Sequence, residues 1–148
     1  VKDKFISFYF DVAERVAQLS HAQRLKVGAV IVKDDRILSY GYNGMPAGFD
    51  NCCEYKDYSE RTIEDFPTLK TKPEVVHAEM NSIAKIAKHG DSCEGASMFI
   101  THAPCVECAK MILQSGINSV YYLKEYRSTA GIDLLKKSPN SIFLMRQV

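Results

Sequence analysis

Neither sign of charge dominates this sequence: 19 lysines and arginines stand against 18 aspartates and glutamates, a net charge of +1. A dedicated duplex-DNA binder normally carries a strong basic excess, so the balance argues against that class. It leaves open a small anionic ligand, which needs only two or three local cations. No apolar run approaches the ~20 residues of a membrane span, and no secretory apolar segment precedes the first helical pattern. Internal repeats and low-complexity segments are absent from the sequence. The five cysteines are an odd number and include a C-x-x-C pair, which favours reduced thiols and metal over a disulfide framework. The expectation is a cytoplasmic protein without a membrane partner. Its 148 residues form a single domain, 1–148, long enough to bury one core.

What is present is a regular alternation of helical and extended patterns. Residues 3–19 put Phe5, Phe8, Val12, Val16 and Leu19 on one face, with Asp3 as the helix cap. "KVGAVIVK" (26–33) and "RILSYGY" (36–42) read as a hairpin joined by Asp34-Asp35. Residues 43–75 read as a long irregular loop, charged and punctuated by Pro67 and Pro73, and loops of that length are usually functional or mobile. Then follow a helix near 77–89 stopped by Gly90, a strand at 96–101, and a helix near 104–115 with Pro104 near its first position and Gly116 beyond its end. A strand at 119–123, a helix near 130–137 and a strand at 141–146 complete the order. Helix-length crossovers make parallel neighbours, so the pattern predicts an α/β fold with a mixed five-stranded sheet and helices on both faces. Ligands of such sheets lie where strands end and helices begin.

Two unusual motifs sit at such helix starts. "VHAEMNSI" carries His77 and Glu79, and "THAPCVECAKMIL" carries Cys105 and Cys108. The two cysteines face the same way at the positive end of a helix, which favours the metal-binding thiolate. Two thiolates and one imidazole suit zinc and leave its fourth position open, as a catalytic site requires. If His77 has non-helical dihedrals, it can ligate the metal while Glu79 reaches the reacting water. Each part has a bland alternative: the cysteines as a redox or structural zinc element, His77 as a cap, Glu79 as an ordinary first-turn acid. Together they give the H-x-E…P-C-x-x-C pattern of zinc-dependent nucleobase deaminases.

The chain resembles the deoxycytidylate (dCMP) deaminases of the cytidine deaminase superfamily. The likeness runs through "KVGAVIV", "GYNGMPAGFDNCC", "HAEMNSI", "PCVECAKMILQSGI" and "VYYLKEY", and "GYNGMPAG" (41–48) narrows it to that branch. The resemblance implies a three-layer α/β/α fold and a hydrolase that converts dCMP to dUMP and ammonia, supplying thymidylate synthesis. It implies a homo-hexamer, activated by dCTP and inhibited by dTTP, with Mg2+ accompanying a bound triphosphate. His77, Cys105 and Cys108 would hold one catalytic zinc and Glu79 would shuttle protons. Asn43 would meet the sugar, with Ala78 and Tyr126 in the same pocket and Arg24 and Lys26 near the phosphate. Without the family, Asn43 reads as a turn residue and Tyr126 as packing. Effector binding would fall on Gly41, Tyr42, Asn43, Gly44, Pro46 and Gly48, whose glycines let backbone N–H groups approach an anion. Lys88 would relay the state to a neighbouring subunit.

The sequence departs from some relatives at a second, structural zinc. Ala22 stands where a ligating cysteine is expected, and Cys52, Cys53 and His21 leave no fourth ligand. Two rivals remain: a deaminase of another cytosine or adenine substrate (nucleoside, tRNA or single-stranded DNA), and a non-catalytic zinc-binding interaction module. The near-neutral charge speaks against polynucleotide editing, which calls for a basic groove with aromatics. A closed zinc module would give Glu79 no purpose.

Overall fold

Asp34 and Asp35 both adopt left-handed dihedrals, with φ of 51° and 59°, and reverse the chain in two residues. They join β1 (Gly28–Lys33) to an antiparallel β2 (Arg36–Tyr42), with Gly28 opposite Tyr42 and Lys33 opposite Arg36. The computed structural model describes residues 1–59, 67–140 and 142–147. It places α1 (Asp3–Ala17) before this hairpin. After it come β3 (Glu54–Asp57), β4 (Thr68–Thr71), α2 (Ala78–Lys88), β5 (Ser97–His102), α3 (Val106–Gln114), β6 (Ser119–Lys124), α4 (Ala130–Lys136) and β7 (Phe143–Arg146).

The expected mixed five-stranded sheet is present, in the order β2-β1-β5-β6-β7. Its β5–β6 and β6–β7 pairs are parallel, but β5 runs antiparallel to β1, which corrects the expectation that every helix-linked strand lies parallel to its neighbour. The β2–α2–β5 crossover does join strands of the same sense. It steps over β1, which already occupies the position beside β2.

Side-chain alternation divides the core into two layers. Val30, Val32, Phe99 and Tyr121 face α1, where they meet Ile6, Tyr9, Phe10 and Ala13. The Phe99 and Tyr121 rings stack at 4.4 Å and 6°, and Phe10 meets Phe99 edge-on at 5.4 Å. On the opposite face Ile31, Met98, Ile100 and Val120 pack with residues of α2, α3 and α4, including Ile86, Ile112 and Leu135. The architecture is therefore α/β/α, with α1 on one side and α2, α3 and α4 on the other. Among the described residues no helix is long and apolar enough to cross a membrane.

Three local expectations change. The apolar face assigned to α1 is the wrong one: Phe5, Phe8 and Leu19 are 40%, 43% and 45% exposed, and only Val16 of that set is buried. The helix has two apolar stripes. The sheet takes the one in which small Ala13 and Ala17 allow a close approach. Its cap is Lys2, and Asp3 instead supplies first-turn negative charge. Finally, the presumed loop 43–75 contains a separate antiparallel hairpin of β3 and β4, with Glu54 opposite Thr71. Residues 60–66 of that run, and residue 141 of the last expected strand, lie outside the described residues.

The packing of α2 on β2 depends on Gly41. A Cβ there would stand 2.5 Å from the Ala78 carbonyl oxygen and 2.6 Å from the Ser82 nitrogen. Both obstacles are backbone, so no flexible side chain can move aside. Gly41 thus serves helix–sheet contact. Gly41→Ala should lower stability by about 1–3 kcal/mol through overpacking. The check is a urea titration, which should show a lower midpoint at unchanged slope. A parental midpoint would mean that α2 can back away from the sheet freely.

Candidate active site

Two helices begin side by side at one end of the sheet, and each is capped by a residue that could ligate a metal. His77 caps α2 with φ −69° and ψ 155°, and Cys105 caps α3 with φ −72° and ψ 171°. These extended dihedrals turn both side chains away from the helical spiral and into the space between the helix starts. Cys108 reaches that space from the first turn of α3. Its Sγ lies 3.3 Å from His77 Nδ1, and Cys105 Sγ lies 3.5 Å from the same nitrogen. Tetrahedral zinc bonded at ~2.1 Å to nitrogen and ~2.3 Å to sulfur separates such ligands by ~3.6 Å, so the three donors fit zinc closely. Pro104 precedes the cap, and does not occupy the first helical position as expected. Its carbonyl oxygen packs against Gly131 of α4, where no Cβ could be accommodated. The Cys105 loop is therefore fixed from behind.

Charge within the cluster is uneven. Hydrogen bonds from Cys108 and His77 drive the Cys105 thiol down to about 3. Cys108 is pushed above the ordinary thiol range because it donates to Cys105 and is buried. The bond with Cys105 raises His77 against the opposing effect of burial. Glu79, only 4% exposed, is raised to about 7 by burial, while its own backbone N–H and the His77 charge partly oppose the shift. A carboxyl poised near neutrality beside metal ligands can both take and give a proton at pH 7.

A cavity of about 380 Å³ opens over these groups, within the range of small-molecule sites. Its walls come from the segment before β1, the residue after β2, the β3–β4 hairpin, the start of α2 and the ends of β5 and β6. Of the residues singled out in the sequence, Ala22, Arg24, Asn43, Cys53, His77, Ala78, Glu79, Cys105 and Tyr126 line it, while Cys108 lies behind the lining. Asn43 Oδ1 accepts from the Val27 N–H at 2.9 Å and its Nδ2 donates to the Leu25 carbonyl at 2.7 Å. The amide therefore clamps the neighbouring wall and keeps one N–H and one lone pair for a ligand. Lys26 is exposed and outside the lining, and Lys88 sits at the far end of α2. Tyr42, Gly44, Pro46 and Gly48 are outside it as well; the Gly44 N–H already donates to Val76 O at 3.1 Å. Neither Cys52 nor Cys53 joins a second three-ligand group among the described residues, although Cys53 lines the cavity.

Sequence reasoning passed over Glu54, Thr71, His102, Glu125 and Arg127, all of which line the cavity. For His102, Glu125 and Arg127 a signal existed: His102 ends β5, and Glu125 and Arg127 follow β6, at the strand ends where the rule for α/β sheets places ligands. Glu54 and Thr71 carried none, because their hairpin was read as loop.

A mixed α/β/α sheet with two helix starts converging on a His–Cys–Cys cluster and a buried glutamate defines the class of zinc-dependent deaminases. Residues 3–124 match the cytidine and deoxycytidylate deaminase zinc-binding region, and the chain belongs to that family. It is 36% identical over 150 residues to the deoxycytidylate deaminase of Enterobacteria phage T4, a match covering 81% of this chain and 78% of that protein. ComE operon protein 2 of Bacillus subtilis is 36% identical over 126 residues, 82% of this chain but 60% of that protein. The dCMP deaminase of cyanophage S-TIM5, solved in complex with dCMP and dUMP, superposes with a TM-score of 0.85 at 40% identity, over 99% of both chains.

Two substitutions test the metal centre. Cys105→Ala removes a ligand and should weaken zinc binding by at least about a hundredfold. Gly131→Ala displaces the loop behind Cys105 and should weaken it by about ten- to a hundredfold, as changes just outside a metal's ligands do. Competition against a colorimetric chelator measures both. Parental zinc affinity in Cys105→Ala would remove that sulfur from the ligand set.

Proposed function

We propose that this chain hydrolyses dCMP to dUMP and ammonia. The observation that carries the reading is the buried Glu79 carboxyl beside the His77–Cys105–Cys108 cluster, in a cavity whose wall also bears Arg24 and Arg127. Likeness to dCMP deaminases over nearly the whole chain supports it.

His77 Nδ1, Cys105 Sγ and Cys108 Sγ would hold zinc, which when bound supplies a Lewis acid that makes water nucleophilic near neutral pH. The protein's own groups do the rest. A Glu79 oxygen takes a proton from the water and delivers it to N3 of cytosine, which makes C4 electrophilic. The water oxygen bonds to C4. Glu79 then passes the second water proton to the exocyclic nitrogen, the C4–N bond breaks, and ammonia leaves. Asn43 and Tyr126 line the space for the nucleoside, and Arg24 and Arg127 face its phosphate. Lys26, exposed beside Arg24, contributes only long-range charge.

The proposed enzyme is cytoplasmic, supplies dUMP for thymidylate synthesis, and works as a homo-hexamer activated by dCTP and inhibited by dTTP with Mg2+. This regulatory part rests on the "GYNGMPAG" resemblance and on Lys88, exposed at the end of α2 for a subunit contact. Coupling between dTTP and dCMP should be reciprocal, each weakening the other by the same factor. Calorimetry on Glu79→Gln protein would measure it, since the substrate survives the titration. Binding of dTTP only in direct competition at the zinc cavity would exclude a separate effector site.

Glu79→Gln should keep its zinc and fold while kcat falls by about 10²–10⁴, the usual worth of general acid–base catalysis. Undiminished turnover in zinc-loaded protein would overturn the mechanism. A panel of dCMP, deoxycytidine and a cytosine-containing oligonucleotide tests the substrate. We expect dCMP to exceed deoxycytidine in kcat/KM by at least about tenfold, from charge-assisted contacts to phosphate. Equal values would remove phosphate recognition, and preference for the oligonucleotide would replace the substrate class.

A further inference from the structure

Glu54 is a carboxylate only 6% exposed, and nothing in the proposed chemistry uses it. One of its oxygens accepts two main-chain bonds, from the Gln23 N–H at 2.8 Å and the Arg24 N–H at 3.2 Å. Desolvating a carboxylate is costly, and both donors sit on exposed residues where water could satisfy them. Stability alone would be served by an apolar residue. The acid fixes where residue 24 begins. The far end of the same residue is held too: Arg24 Nη1 donates to Thr71 Oγ1 at 3.2 Å. Glu54 and Thr71 are direct cross-strand partners in the β3–β4 hairpin. Arg24 is thus gripped at backbone and at guanidinium by one pair of residues, with the remaining guanidinium N–H groups available to the cavity. The rest of that wall is held separately, by Asn43 on Val27 and Leu25 and by the Ser20 hydroxyl on Asn43 O at 2.6 Å.

We propose that Glu54 and Thr71 are positioning residues for phosphate selection. By presenting Arg24 pre-ordered, the β3–β4 hairpin, which lies outside the main sheet, sets the preference for a nucleoside 5′-monophosphate over the free nucleoside. This rests on the reading above in which the substrate is a monophosphate. Pre-ordering matters because a long side chain that must be immobilised on binding gives back part of each contact it makes. Glu54 Oε1 accepts from the main chain, and the guanidinium's own bond goes to Thr71.

The test compares kcat/KM for dCMP with that for deoxycytidine in zinc-loaded Arg24→Ala, Glu54→Ala, Glu54→Gln and Thr71→Val proteins. The quantity read is the ratio of the two. Arg24→Ala should lower it by at least about tenfold, the worth of a charge-assisted contact. Glu54→Ala should lower it by about tenfold and Thr71→Val by about threefold, as a neutral hydrogen bond implies. Glu54→Gln should retain most of it, because the amide oxygen can accept the same two bonds. Adding Glu54→Ala to Arg24→Ala should change nothing further, since the two act as one unit. If Arg24→Ala leaves the ratio at its parental value, the phosphate assignment of Arg24 itself fails. If Arg24→Ala lowers it but Glu54→Ala and Thr71→Val do not, the positioning inference is overturned and the substrate reading stands. Equal losses on both substrates, with a lower melting temperature, would assign Glu54 a purely structural part. Should Glu54→Ala not fold, Thr71→Val at its exposed position decides the question.

Discussion

Two helix N-termini meeting at one edge of the sheet are the constraint on which the rest of this structure depends. Each brings unpaired N–H groups and a partial positive charge to the same place. Two sulfurs and an imidazole are gathered there within 4.8 Å, and a concentration of thiolate charge needs such compensation. The helices can meet only because α2 lies against β2 at Gly41 and α4 supports the Pro104–Cys105 backbone at Gly131. Both contacts are backbone to backbone. The metal centre is thus braced by the least deformable parts of the fold.

The same geometry explains why Glu79 is buried. As the second residue of α2 it follows the capping histidine into the helix and lines the floor of the cavity, where it is 4% exposed. Burial penalises its charged form and brings its proton affinity to about 7. A residue kept there for stability would be apolar. A buried acid held near neutrality at the floor of a cavity is suited to the proton-carrying part proposed for it.

Around this rigid floor the cavity wall is built differently. The segment between α1 and β1 has no secondary structure of its own. It is held by side chains: Asn43 from the end of β2 and Glu54 from the detached hairpin. The proposed chemistry thus falls to the main sheet and its helices, and the proposed substrate selection to a segment tied down by polar bonds. Such bonds are individually modest, so the wall can be altered without unfolding the core.

The sequence by itself determined the local features of this protein. The extended hairpin runs with their Asp34-Asp35 turn, the start of α2 at His77, and the C-x-x-C pair near the start of α3 are legible because turn chemistry, capping and ligand spacing within one motif act over a few residues. Tertiary structure alone decided which of two apolar stripes on α1 is buried, since Phe5 and Phe8 look as suitable as Ile6 and Phe10 until the sheet selects the side with Ala13 and Ala17. It decided that β5 lies against β1, because a crossover fixes the sense of a strand and leaves its neighbour open. It also decided which polar residues share the cavity: Arg24 and not Lys26, with Glu54, Thr71 and Arg127 arriving from distant segments. Those pairings depend on long-range register, which local periodicity does not encode.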